Sequence, residues 1–214
     1  MTKQGWPLVG DARREMADLV ESLTEEQLAA PSICDRWSNH QVAAHLLTFT
    51  HVGVPSRRFF SAMLRSRFDY DTAADRLASE LATEHSGSEI ATMLRDEAEH
   101  ENRFKAFPPE MTLTDVTVHL QDIRRALGIE GGPSPHVVDT VLVWMTTHKQ
   151  AKAVVGDGLL EGLQFATTDT DWSFGTGPLV EGPGEALIMA LAGRDSHDEL
   201  RGDGAAEFRQ RCGH

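Results

Sequence analysis

The amino-acid sequence predicts an α+β protein, with an N-terminal four-helix bundle followed by a small C-terminal α+β unit. Apolar residues recur at the helical period through residues 1–130. The Gly/Pro cluster Gly131-Gly-Pro-Ser-Pro135 interrupts this pattern. After Gly156, short apolar segments bounded by turn residues replace the long periodic ones. We therefore expect two domains, residues 1–130 and residues 131–214, with the helix that starts at Pro135 acting as a bridge.

Helix-capping and helix-breaking residues divide the N-terminal part into helices. Pro31 and Pro55 break the pattern, Ser38 is a good N-cap for the second helix, and Gly128 stops the last one. Within the expected four-helix core, the chain that connects the second and third core helices is interrupted and does not form one continuous helix. The helices expected here span residues 11–29, 38–51, 57–67, 72–85, 88–104 and 113–127.

The C-terminal part combines helices with short strands. Ser134 followed by Pro135 is an N-cap and N1 pair that opens a helix to about residue 155. Segments 160–168, 172–174 and 179–181 have the composition of strands. Pro183 starts a helix over 184–192, and we expect the chain after Gly204 to be frayed.

Composition limits the classes of function. The net charge of −13 argues against a nucleic-acid partner, because phosphate binding requires clustered Lys and Arg. No apolar run approaches the roughly 20 residues that span a bilayer, and the first residues are too polar for a signal peptide. Cys34 and Cys212 form no CxxC pair. We expect a cytoplasmic protein, monomeric or homodimeric, without a membrane partner.

Two histidines occupy matching positions on two of the expected helices. His45 lies beside the stripe formed by Val42, Leu46 and Phe49, and His119 lies at the same angle beside the stripe of a later helix. Asp115 precedes His119 by four residues, so both side chains face the same way. Two imidazoles and a carboxylate with an open position suit a catalytic divalent metal. Asp122 is placed to orient an imidazole.

Other interpretations of these residues remain open at this point. Each histidine can be a half-buried residue at the edge of the core. Asp115 can belong to an N-terminal cap that begins at Thr112. His148 borders an apolar face and can be a ligand or a core histidine. The string Glu97-Ala-Glu-His-Glu101 predicts an exposed helix face.

Several short motifs follow one another along most of the chain. They are Leu23-Thr-Glu-Glu-Gln-Leu28, Pro31-Ser32, Trp37-Ser38, Ala43-Ala-His45-Leu46, Val118-His119-Leu-Gln-Asp122-Ile-Arg124-Arg-Ala-Leu-Gly128, Gly182-Pro183-Gly-Glu-Ala-Leu187, Leu191-Ala-Gly193-Arg194 and Leu200-Arg-Gly-Asp-Gly204. In this order, the motifs resemble the mycothiol-dependent maleylpyruvate isomerase branch of the DinB-like proteins.

This resemblance implies a DinB-like bundle that binds zinc or another divalent ion through His45, Asp115 and His119. Asp115 stands where the family has glutamate, so the ion would sit closer to the helix, bind through water or bind weakly. The resemblance also implies an enzyme that uses mycothiol or a similar thiol for isomerisation or S-transfer on a small electrophilic substrate. Arg194 is a candidate for binding a substrate carboxylate or the thiol, although a helix end also favours arginine. The alternative is a non-catalytic metal-binding or stress-related protein.

Overall fold

The computed structural model describes residues 5–34, 37–48, 50–102 and 107–213, which divide into two compact units, Met1–Glu130 and Gly131–His214. The first unit is helical and the second contains a three-stranded sheet, so the predicted α+β class is confirmed. No helix among the described residues is long and apolar enough to cross a membrane.

Capping residues set the limits of the helices in the first unit. Thr24, Ser38 and Ser86 each accept a hydrogen bond from the backbone three residues on, where a Gln or Glu side chain bonds back. The expected single helix over residues 11–29 is therefore wrong, because Thr24 caps a new helix. Ser86 caps the helix that was expected to begin at residue 88. The helices are α1 Gly5–Ser22, α2 Glu25–Ala29, α3 Asn39–His45, α4 Ser56–Arg65, α5 Tyr70–Glu84, α6 Gly87–Glu97 and α7 Pro109–Leu127.

The core of the first unit lies between α1, α3, α5, α6 and α7. Helix α1 packs against α6 and α7, while α3 packs against α5 and α7. Each fully buried aliphatic side chain in such a core contributes about 1.5–3 kcal/mol. Phe49, assigned to the α3 stripe from sequence, lies outside the described residues. Fully buried apolar residues of this core are Val9, Met16, Val42, Leu47, Leu77, Leu81, Ile90, Leu94, Leu113 and Ile123.

Helix α7 begins a full turn earlier than expected. Pro109 occupies the first turn, where its missing N–H costs nothing, and Gly128 ends the helix with φ of 64°. Thr112 therefore lies inside the helix, where its hydroxyl bonds the Pro108 carbonyl at 3.3 Å. The interpretation of Asp115 as part of an N-terminal cap is wrong, since the residue lies well beyond the first turn.

In its described residues, the second unit joins three α-helices to the sheet. Strand β1 pairs antiparallel with β2 and parallel with β3, in the order β2-β1-β3. Helix α8 is shorter than expected because His148 adopts an extended backbone and caps a following 3-10 turn at Lys149–Ala153. The elements are α8 Pro135–Thr147, β1 Gln164–Thr167, β2 Ser173–Gly175, β3 Leu179–Gly182, α9 Gly184–Leu191 and α10 Ala205–Arg211.

Helix α10 packs on this sheet, so the expected fraying after Gly204 is wrong for residues 205–211. Phe208 on α10 has no exposed surface, and its ring meets that of Phe165 on β1 edge to face, with centroids 5.2 Å apart. Burial of this aromatic side chain explains why residues 205–211 form a packed helix.

Candidate metal centre

The packing of α3 against α7 brings His45, Asp115 and His119 together. His45 is the last residue of α3, while Asp115 and His119 lie one turn apart on α7. Asp115 Oδ1 is 3.8 Å from His45 Nε2 and 3.5 Å from His119 Nε2. The two imidazole centroids are 5.1 Å apart. The cluster expected from helix phase is thus present as a set of neighbouring side chains.

The spacing of these atoms suits a single small cation. One ligand atom from each residue lies within 4.8 Å of the other two. Tetrahedral bonds of about 2.0–2.1 Å place neighbouring ligand atoms about 3.3 Å apart. The two distances from Asp115 Oδ1 are close to this value, so small side-chain movements would complete the geometry. Aspartate is long enough here to bind an ion directly.

Asp122 fixes the orientation of His119. Its Oδ2 accepts a hydrogen bond from His119 Nδ1 at 2.8 Å, and the Asp122 side chain has no exposed surface. With the proton on Nδ1, the lone pair of His119 is on Nε2, the atom that faces Asp115. Buried carboxylates hold ligand imidazoles in this way in many metal sites. We therefore assign Asp122 to orienting His119.

The His45 ring is buried without a hydrogen bond. Only 7% of the residue is exposed, and the buried Nδ1 has no partner among the described residues. Its Nε2 is 3.8 Å from Asp115, too far for a hydrogen bond. A buried polar group without a partner costs about 1–3 kcal/mol. Nε2 faces Asp115 without a hydrogen bond and is available to a cation, so the donor set fits a metal ion.

Trp37 forms an aromatic wall beside both histidines. Its ring centroid is 4.7 Å from that of His45 and 5.9 Å from that of His119. The indole N–H donates to Asp75 Oδ1 on α5 at 2.7 Å, which fixes the plane of the ring. Sequence reasoning used Trp37 as part of the Trp37-Ser38 motif but assigned it no place in the site. The sequence did contain a signal for this role. Trp37 is a large aromatic residue just before the capping box of α3, the helix that carries His45.

Two further side chains near the centre were also missed. One ligand atom each from Cys34, His119 and Asp122 lies within 4.8 Å of the others, so this half-buried thiol adjoins the centre. Tyr70 begins α5, and burial raises the pKa of its hydroxyl, with the Asp115 charge raising it further. Tyr70 is therefore protonated at neutral pH and can donate a hydrogen bond. Only the tertiary structure places either residue here.

The remaining sequence candidates have other environments. His148 is exposed, and its Nδ1 accepts a bond from the Gln150 amide at 3.3 Å, so it is not a core histidine. Glu97 is fully buried, against the expected exposed face, and accepts a bond from the Val52 amide. Arg194 belongs to the second unit and donates to the Ala192 carbonyl at 2.8 Å. That bond is the helix-end contact foreseen for an arginine there.

Comparison with known families supports the resemblance inferred from the motifs. A family model described as the mycothiol maleylpyruvate isomerase N-terminal domain matches residues 9–111. The matched residues include most of the first unit, which therefore resembles that domain. The predicted resemblance is thereby confirmed, and the match includes His45 but ends before Asp115 and His119.

Two solved structures with the same fold as this chain are both of a mycothiol-dependent maleylpyruvate isomerase. The crystal structure of a histidine-to-alanine mutant of the mycothiol-dependent maleylpyruvate isomerase is 14% identical, with a TM-score of 0.56. A second crystal structure of that isomerase is 12% identical, with a TM-score of 0.55. Each comparison covers 96% of this chain and 97% of the other. The sequence has no significant match among curated proteins.

Proposed function

We propose that this protein is a metal-dependent enzyme that uses a low-molecular-weight thiol of the mycothiol type. The reaction is isomerisation or S-transfer on a small electrophilic substrate that carries a carboxylate. The observation that carries the proposal is the buried pair His45 and His119 around Asp115, with the tautomer of His119 set by Asp122. The domain that the first unit resembles supports the choice of thiol and reaction.

The residues of the centre can bind an ion and leave one side open to a ligand. His45 and His119, each only 7% exposed, would hold the ion together with Asp115, whose side chain is 41% exposed. A divalent ion bound there, most simply zinc, would lower the pKa of a bound thiol and supply a thiolate near neutral pH. Trp37 restricts the approach of ligands from its side.

Arg194 is the proposed partner for a carboxylate of the substrate or of the thiol. The whole chain has a net charge of −13, so an anionic substrate needs a cation to bind it. A guanidinium matches a carboxylate in two hydrogen bonds. We place the enzyme in the cytoplasm, where a reduced thiol is available as co-substrate.

Metal analysis of protein purified without chelator tests the first part of the proposal. We expect about one equivalent of a divalent ion, lost in His45→Ala and in His119→Ala. His136→Ala is the matched control, because His136 is exposed on α8. Circular dichroism confirms that each variant folds. A metal content that is the same in both ligand variants and in the control would refute the site.

Turnover tests the second part. The metal-loaded protein is given mycothiol with maleylpyruvate, or mycothiol with a model electrophile, and product is followed by chromatography. We expect thiol-dependent product that His119→Ala abolishes. Stoichiometric metal without turnover of either substrate would favour the alternative, a non-catalytic metal-binding protein.

A further inference from the structure

A cleft between α4 and α5 is lined by arginine side chains. Its volume is about 370 Å³, which lies within the range of about 300–1,000 Å³ that small-molecule sites occupy. None of the residues that line it is a ligand of the candidate metal centre. We call it the arginine cleft. Its polar lining consists of Arg57, Arg58, Ser61, Arg65, Arg76 and Glu80.

The arginine cleft has a charge opposite to that of the chain. The sequence contains 33 acidic residues and 20 lysines and arginines, so carboxylates outnumber cations over the protein as a whole. In the cleft, four guanidinium groups meet one lining carboxylate, that of Glu80. An excess of two positive charges remains when Glu84, which also binds Arg58, is included. A cleft with such an excess concentrates anions.

Glu80 holds two of these arginines in place. Its Oε2 accepts a hydrogen bond from Arg58 Nη2 at 2.8 Å, and its Oε1 accepts one from Arg76 Nε at 2.9 Å. Arg58 lies on α4 and Arg76 on α5, so the carboxylate joins the two walls of the cleft. Because both guanidinium groups are already oriented, less side-chain entropy is lost when an anion binds between the walls.

Two further arginines and a hydroxyl lie along one side of α4. Arg57, Ser61 and Arg65 follow one another at intervals of four residues, the spacing of neighbours on a helix surface. Arg57 and Arg65 are exposed, and neither has an acidic partner within the described ranges of the chain. The Ser61 hydroxyl makes no hydrogen bond to a described residue. These three side chains therefore offer donor groups to a ligand in the cleft.

We propose that the arginine cleft binds a phosphate group. A phosphate monoester carries about −1.5 to −2 charges at pH 7 and three acceptor oxygens, which matches the positive excess better than a carboxylate does. Guanidinium groups bind phosphate oxygens through two parallel hydrogen bonds. Arg57 and Arg65 would bind the group from either side of the Ser61 hydroxyl. This site is separate from the proposed reaction, and its phosphate belongs to a soluble molecule or to a lipid headgroup.

Titration calorimetry of the full chain with inorganic phosphate tests the site. We expect the double variant Arg57→Gln/Arg65→Gln to raise the Kd at least about tenfold, because it removes two charged hydrogen-bond donors. Low ionic strength is used, since salt screens exposed charges. Arg67→Gln is the matched control, because Arg67 is exposed close by but does not line the cleft. All these positions are exposed, and circular dichroism checks the fold.

Three outcomes of this titration would refute the site. An equal loss of affinity in Arg67→Gln and in the double variant would indicate a general effect of surface charge. Acetate that displaces phosphate as well as phosphate itself does would show that any anion is accepted. Loss of phosphate binding in His119→Ala would place the phosphate on an ion at the metal centre. We expect His119→Ala to bind phosphate as the wild type does.

Vesicles distinguish the two sources of the phosphate. Co-sedimentation with phosphatidic acid vesicles, reduced in Arg57→Gln/Arg65→Gln but not in Arg67→Gln, would assign the site to a lipid headgroup. Binding of free phosphate without retention on the vesicles would assign it to a soluble phosphorylated molecule. A wild-type protein that binds neither inorganic phosphate nor the vesicles overturns the proposal.

Discussion

The His119 imidazole donates its Nδ1 proton to the fully buried Asp122 carboxylate across 2.8 Å. This one bond determines which nitrogen of His119 is available to a metal ion. It also holds the ring plane, because Asp122 lies on the same helix one turn away and cannot move independently. The lone pair of Nε2 is thereby presented to Asp115 before any ion binds.

Asp122→Asn should lower the affinity of the centre for Zn²⁺ by about 10–100-fold, as expected for the loss of an orienting carboxylate. The neutral amide accepts a weaker bond from Nδ1 and allows the ring to rotate. Competition with a chromophoric chelator measures the affinity. Asp139→Asn is a matched control, since Asp139 also accepts one side-chain bond, from Thr170 at 2.7 Å. An unchanged Zn²⁺ affinity in Asp122→Asn would contradict the orienting role.

Asp115→Asn should reduce Zn²⁺ affinity at least about tenfold, because it removes the only carboxylate proposed as a direct ligand. Asp115→Glu should give an intermediate affinity, since the charge is kept but the longer side chain no longer matches the 3.5 and 3.8 Å spacings. Isothermal titration of both variants provides the test. If Asp115→Glu binds more tightly than the wild type, Asp115 does not contact the ion directly.

Trp37→Phe should abolish a Co²⁺-dependent decrease in tryptophan fluorescence. The Trp37 ring lies 4.7 Å from that of His45, and a paramagnetic ion at this range quenches an indole efficiently. Trp172→Phe, in the second unit, should lower the total emission but keep the Co²⁺ effect. A Co²⁺ response that survives in Trp37→Phe would mean that the ion binds elsewhere.

Arg194→Met should raise the KM for thiol or substrate by about tenfold or more, or lower kcat, at unchanged metal content. A hydrogen bond to a charged group is worth about 1.5–3 kcal/mol, which corresponds to that factor. Steady-state kinetics on the metal-loaded enzyme measures the effect. Arg209→Met in α10 is the control, because Arg209 pairs with Asp198 on the surface. Kinetics identical to those of the control would refute the role proposed for Arg194.

His40 should make the protein less stable in acid. Burial lowers the pKa of His40, an effect that a backbone hydrogen bond involving His85 opposes, and its Nε2 has no partner among the described residues. The unfolded chain, with a His pKa of about 6.5, therefore binds a proton at a higher pH than the folded one. Stability is complete above pH 6.5 and falls as pH drops toward the lowered pKa of the folded state.

Urea unfolding of the metal-free protein between pH 5 and 8 measures this effect. His40→Gln should flatten the dependence of the unfolding free energy on pH, while His136→Gln should leave it unchanged because His136 is exposed. Equal slopes in the wild type and His40→Gln would show that His40 titrates alike in both states.

Local signals in the sequence determined much of this fold. Ser38 and Ser134 cap α3 and α8 as predicted, and Gly128 ends α7 in the left-handed conformation that glycine adopts at little cost. The pairing of Asp115 with His119 also follows from sequence, because residues four apart on a helix must be neighbours. These features depend only on interactions within a few residues.

Contacts between distant segments were decided by tertiary packing. Helical periodicity shows that His45 borders the core, but it does not encode which helix lies opposite. The packing of α3 on α7 brings its imidazole within 3.8 Å of Asp115. Trp37 contacts both histidines, and Cys34 lies beside Asp122. Both contacts also depend on the packing of residues that are far apart in sequence. A local pattern specifies the buried face of a helix, whereas side-chain packing across the core selects its partner.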